Sequence, residues 1–222
     1  MQTPLRDKVR QLYTQKAGLY RFCFYGVFRY GRGVAAHLAQ SGLIASDLRI
    51  LDAGCGHGDV MKACLRIADQ RKYVGVSLFA FDLTPAMLAE LEAWAAQQAS
   101  IPIQTQVADI LEPDQLPPSW THMDRIICSA MLEYVPRERL AEALGNLRAR
   151  LAPGGHLLVY ITRRNWLTRW LIARWWAANI YTPAKVEEAL RHAGFQSITF
   201  TRFPFPYAYL NLAMMAVHAT AR

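Results

Sequence analysis

The stretch Leu51-Asp52-Ala53-Gly54-Cys55-Gly56-His57-Gly58-Asp59 sets three glycines at alternate positions between an apolar run and a helical pattern. Glycine accepts positive φ and puts no Cβ between the backbone and a ligand, so such a turn can seat a small molecule against main-chain atoms. In doubly wound sheets, ligands lie outside the carboxyl ends of the strands, which is where this turn falls. The dinucleotide spacing GxGxxG would need glycine at position 59, and Asp59 stands there. The form present is acid-x-GxGxG, headed by Asp52. Other chemistries lack a matching pattern. No His, Cys and Asp cluster has metal-ligand spacing. None of the four cysteines forms a CxxC pair or adjoins proline.

The turn must be held by elements on both sides. RILDAG, from residue 49, reads as a short buried strand, and a helix follows over about 59–68. YVGVSLFAFDL is the next strand signal. It could end near Ser77 or at Asp82; Asp82 is preferred because DLTPAML continues into a helix running to about residue 99. Thr84 is the expected hydroxyl cap of that helix, with Pro85 at its first position. IPIQTQVAD alternates as a strand and DRIICSA is another buried one. A helix over about 137–151 comes next, stopped by APGG, and HLLVYIT is the fifth strand. The Trp-rich stretch 163–180 reads as helical, as does PAKVEEALRHAGF, with Thr182 as its cap. SITFTRF and NLAMMAVHAT close the chain as strands. This alternation predicts an α/β sandwich around a mainly parallel sheet.

The ordered set of turn and strand ends resembles the class I S-adenosylmethionine (SAM)-dependent methyltransferases, from about residue 48 to 162 and more loosely beyond. The resemblance implies a doubly wound, Rossmann-like sandwich with a seven-stranded, mostly parallel sheet and an antiparallel last strand. It implies SAM as cofactor, its methionine end lying against Gly54, Cys55, Gly56 and Gly58 with Asp52 helping to position it. Asp82 would take the ribose hydroxyls through charge-assisted hydrogen bonds. Leu83 and Met87 would flank the nucleoside, Asp109 and Ile110 would lie near the adenine, and Ser129 would end the strand that runs beneath the cofactor. CSAMLEY lacks the Asn/Asp-Pro-Pro-aromatic signature of amino-methylating nucleic-acid enzymes. Methyl transfer from a sulfonium rests largely on alignment, and a general base matters only where the acceptor must lose a proton. No catalytic position therefore carries over. Glu133, Tyr134 and His57 are candidates to face the acceptor, although Glu133 could simply begin a surface helix and His57 could be a loop residue. Tyr13, Tyr20 and Tyr25 could belong to a closing lid or pack on the first helix.

A length of 222 residues fits a single domain: an N-terminal helical lid over 1–47, a SAM-binding core over 48–162, a Trp/Arg-rich helical insertion over 163–180, and a terminal helix and strands over 181–222. No run of about 18 uncharged apolar residues is present, and the N-terminus carries no secretion signal, so a cytoplasmic location is expected. The net charge of +8 is unevenly spread. Residues 1–49 hold 8 basic and 2 acidic groups, residues 50–162 hold 9 and 13, and residues 163–222 hold 8 and 2. RRNWLTRWLIARWW (163–176) has the Trp and Arg composition of an interfacial helix. It could cap an apolar acceptor, touch an anionic membrane, or pack in a core or homodimer. These flanks point to a small apolar or amphipathic acceptor: a lipid, a quinone or an aromatic metabolite. The rivals are a non-catalytic SAM-binding scaffold, a nicotinamide (NAD) dehydrogenase disfavoured by Asp59, and an RNA methyltransferase, for which no RNA-binding module is present.

Overall fold

The computed structural model describes residues 29–166, 168–170 and 178–221. Seven strands form one sheet in the order β3-β2-β1-β4-β5-β7-β6. They are β1 (Arg49–Ala53), β2 (Ser77–Asp82), β3 (Ile103–Val107), β4 (Met123–Ser129), β5 (Leu151–Thr162), β6 (Gln196–Thr201) and β7 (Met214–Thr220). The pairs from β3 through β5 are parallel, while β7 runs antiparallel to both β5 and β6. The central strands are nearly continuous apolar runs because both faces are covered. Helices α1 (Tyr30–Ser41), α2 (Asp59–Arg71) and α3 (Pro85–Gln98) cover one face, through Val34, Leu38, Met61, Leu65, Leu88 and Leu91. Helices α4 (Leu140–Arg148) and α5 (Pro183–His192) cover the other, through Leu144, Leu147, Val186 and Leu190. The chain leaves β1 for β2 on one side and reaches β4 on the other. The crevice of this topological switch therefore opens beyond Asp52 and Ala53.

Several boundaries differ from expectation. β2 ends at Asp82, but the Thr84 hydroxyl does not cap α3. The Asp82 carboxylate bonds the Thr84 N–H instead, at 2.8 Å. Thr182 does cap α5, accepting from the Lys185 N–H. The helix expected over 137–151 starts as a 3-10 turn, Arg137–Arg139, and α4 ends at Arg148. APGG lies inside β5, where Leu151 pairs with Met123 across a register shift. The stretch 163–180 is not helical throughout. Arg163 forms a bridge to Tyr181, residues 178–180 lie outside any helix, and the described helical turn begins at Trp166. Asn165 opens that turn: its side chain accepts from the Thr168 N–H and the Thr168 hydroxyl accepts from the Asn165 N–H, a reciprocal cap. Tyr13, Tyr20, Tyr25, Arg174 and Trp176 lie outside the described residues. Among the described residues, no helix is long and apolar enough to cross a membrane.

Candidate functional site

The glycine turn is pinned from below. The Gly54 and Cys55 N–H groups both donate to the Phe81 carbonyl at 2.9 Å, and the Gly58 N–H donates to the Cys55 carbonyl. All three glycines have positive φ, yet their surroundings differ. A Cβ on Gly54 would collide with the Met131 side chain, and one on Gly58 with Leu91. A Cβ on Gly56 would meet nothing within 4 Å. Only Gly56 therefore faces open space; the other two let the β4 exit and α3 close on the turn. The Cys55 side chain is buried in the layer of α1–α3, where burial pushes its thiol pKa far up. Any contact of Cys55 with a ligand would be through its main chain.

Asp82 ties the site together. One carboxylate oxygen accepts from the Gly56 N–H and the other from the Thr84 N–H, each at 2.8 Å, while its carbonyl accepts from Ala108. A carboxylate offers about four lone-pair sites; beside these two N–H groups the Thr84 hydroxyl also bonds it, and capacity remains for a ligand. Asp52 is fully buried, and neither of its carboxylate oxygens has a hydrogen-bond partner. Burial, then the charges of Asp82 and Asp59, raise its pKa well above the ordinary range. A buried polar group without a partner is costly. Here two such oxygens lie below the glycine turn with acids for neighbours, an arrangement suited to a hydrogen-bond donor or a cation. It does not suit a pyrophosphate. The Gly56 N–H that would cradle a phosphate is already taken, and the Asp59 and Asp82 carboxylates would repel one.

Next to Asp82, Asp109 is buried, its Oδ1 accepting from the Leu111 N–H at 2.8 Å. Ile110 is buried in the α4 layer, with its carbonyl held by Asn146. Leu83 and Met87 are half-buried at the start of α3. Ser129, at the end of β4, hydrogen-bonds the Tyr30 hydroxyl at 2.9 Å. Tyr30 had no signal in the sequence, because only the fold brings it 99 residues along the chain to Ser129. His57 sits 3.6 Å from Asp59, and Tyr134 is half-buried beyond β4. Glu133 does not begin a surface helix. It lies in the 3-10 turn Leu132–Tyr134 and is only 2% exposed. Its Oε1 accepts from both the Thr162 N–H and hydroxyl, and its Oε2 has no partner. Burial pushes its pKa up to about 7. The fold thus brings the glycine turn, Asp52, Asp82, Asp109 and Ser129 to one sheet edge, with Glu133 anchored at the end of β5. Among the described residues, no group of three His, Cys, Asp or Glu side chains could hold a metal ion.

Known proteins resemble this chain in sequence and in fold. A family described as methyltransferase domain matches residues 25–199. Over 115 residues the chain is 30% identical to the carboxy-S-adenosyl-L-methionine synthase of Ectopseudomonas mendocina (strain ymp), a match covering 50% of this chain and 43% of that protein. The chain thus spans less than half the length of that relative. Magnesium protoporphyrin IX methyltransferase from Synechocystis PCC 6803, solved with bound SAM, superposes with a TM-score of 0.68 at 18% identity, covering 100% of this chain and 99% of its own. A Haemonchus contortus N-methyltransferase, solved with phosphomonomethylethanolamine and S-adenosylhomocysteine, gives a TM-score of 0.71 at 14% identity, covering 99% and 60%. At these identities the structural likeness is one of fold.

Proposed function

Since the chain belongs to the class I SAM-dependent methyltransferase family, we propose that it methylates a small apolar or amphipathic acceptor, of the lipid, quinone or aromatic-metabolite kind. Its cofactor is SAM, which when bound supplies an electrophilic methyl group on a sulfonium. The residues present fit that group. The space over Gly56 accepts a ligand that a side chain there would exclude, and the unpartnered oxygens of Asp52 await a donor. On this reading Asp82 takes vicinal hydroxyls on its free lone pairs, and Leu83 and Met87 hold the nucleoside. Asp109 and Ile110 border the base. The acceptor enters past Ser129 and Tyr30, where Glu133 and Tyr134 lie on the β4 exit. The chain's contribution is to align and desolvate the partners, since little covalent help is needed.

The acid pair at the switch point carries this reading, and Asp52→Asn tests it. A carboxyl whose folded pKa is raised holds a proton that the unfolded chain releases. Stability is therefore lost as pH rises from the ordinary aspartate value of 3.8 through the raised one. The amide removes that loss, so the ligand-free variant should melt higher than wild type at neutral pH. It should also bind S-adenosylhomocysteine roughly 10- to 100-fold more weakly, the loss of one charge-assisted bond of about 1.5–3 kcal/mol. Unchanged affinity would remove Asp52 from the site.

The acceptor class is tested by transfer of radiolabelled methyl from SAM into a cell extract. Label should follow the organic phase on extraction. Label recovered with precipitated protein or nucleic acid would overturn the small-molecule reading. S-adenosylhomocysteine binding with no label moved at all would mark a non-catalytic scaffold.

A further inference from the structure

A patch of exposed aromatic and basic side chains lies just past the end of β5, on the same edge of the sheet as the glycine turn. Trp166 is 81% exposed and Trp170 is 68% exposed, one helical turn apart. They therefore project from the same helix face. The patch extends onto a second segment, because the Asn165 side chain donates to the Leu212 carbonyl and the Arg163 N–H to the Ala213 carbonyl. Leu212 is 64% exposed, and Phe205, at the head of that segment, is 90% exposed. Arg163, Arg164 and Arg169 are exposed on the first segment, and Arg202 is exposed just past the end of β6. No acidic residue occurs in 143–186 or in 189–222 to balance them.

We infer that this patch docks on an anionic phospholipid surface. Two exposed tryptophans cost water contact without burying against the protein, and large exposed apolar residues in a cluster mark an interaction site. A pocket for a small molecule would enclose them; side chains this open instead suit an extended surface. Tryptophan beside arginine matches a bilayer interface, where indole sits at headgroup depth and guanidinium meets phosphate. A second copy of the chain fits poorly. A two-fold contact through this patch would set the same arginines against one another, with no acid on either segment to pair with them. The inference is separate from the identity of the acceptor. It does, however, place the mouth of the site beside the phase in which an amphipathic acceptor dissolves.

The test is co-sedimentation of the full chain with vesicles of phosphatidylcholine alone and of phosphatidylcholine with equal phosphatidylserine. The serine lipid should retain the protein, neutral vesicles should not, and added salt should release it because exposed charges are screened. Arg163→Ser, Arg164→Ser and Arg169→Ser together should weaken retention by about fivefold per arginine. Trp166→Ser with Trp170→Ser should abolish it at any salt. Both variants should bind S-adenosylhomocysteine as wild type does, which shows that they fold. Wild-type protein left in the supernatant would overturn the inference. So would tryptophan variants that still bind the vesicles, or a wild-type protein that sediments as a dimer and is made monomeric by the tryptophan substitutions.

Discussion

Gly56→Asn should bind S-adenosylhomocysteine roughly 100-fold more weakly than wild type, with a melting temperature close to the wild-type value. Asparagine is the side chain that best tolerates the left-handed region, and Gly56 has φ 51°. Its backbone cost is therefore small. The side chain would project where nothing lies within 4 Å of a Cβ, so the folded protein has room for it. Only a ligand seated over the turn would collide, and overpacking of that kind costs typically about 1–3 kcal/mol. Gly42→Asn is the control. It shares positive φ (68°) and open surroundings, but it lies at the end of α1, and it should change neither binding nor melting. Gly54→Ala and Gly58→Ala should behave the opposite way. Each adds positive-φ strain of about 1–2 kcal/mol to a collision with Met131 or Leu91, so both should lower stability before they affect binding. Calorimetry and thermal melts on the four variants decide the matter. Normal affinity in Gly56→Asn would mean that the ligand does not lie over that glycine.

The contrast among those glycines shows where reading the sequence stops. Three alternate glycines after a buried strand were enough to expect a ligand turn, and Asp52 near the end of β1 and Asp82 at the end of β2 were legible because each follows an apolar run. The spacing could not say that two of the glycines serve packing. That depends on Met131 and Leu91, which arrive from other elements. Boundaries slipped for a similar reason. The pattern over 137–151 is helical in period, but its first residues form a 3-10 turn and its last join β5 through pairing with β4. A strand partner outweighed local propensity there. Thr84 before Pro85 had every mark of a cap, but its hydroxyl accepts from no N–H of α3, and its own N–H donates to the Asp82 carboxylate. Glu133 was the least legible. Nothing around CSAMLEY reveals that Thr162, 29 residues on, will bury it.

That burial makes the stability of the protein depend on pH near neutrality, and Glu133→Gln should remove the dependence. The carboxyl is raised from the ordinary glutamate value of 4.5 to about 7, chiefly by burial; the bonds from Thr162 pull the other way and are outweighed. Between those two values the folded chain holds a proton that the unfolded chain has released, so stability falls as pH rises from 4.5 through 7 and then levels. At 1.36 kcal/mol per unit, the loss attributable to this group is roughly 3 kcal/mol. Glutamine keeps an oxygen to accept from the Thr162 N–H and hydroxyl, and it carries no charge. Its own unpaired amide resembles the unpaired acid of the protonated wild type. The variant should therefore match wild type near pH 4, below the ordinary glutamate value, and exceed it by roughly 3 kcal/mol near pH 8, read from urea unfolding at each pH. Activity separates two roles for the same carboxyl. If Glu133 only anchors the β4 exit to β5, Glu133→Gln keeps the wild-type rate and pH profile. If its ionised form takes a proton from the acceptor, the wild-type rate rises through pH 7 and the variant loses both that inflection and most of its turnover. Parallel falls in stability for the two proteins would show that Oε2 has a partner and that the buried charge is compensated.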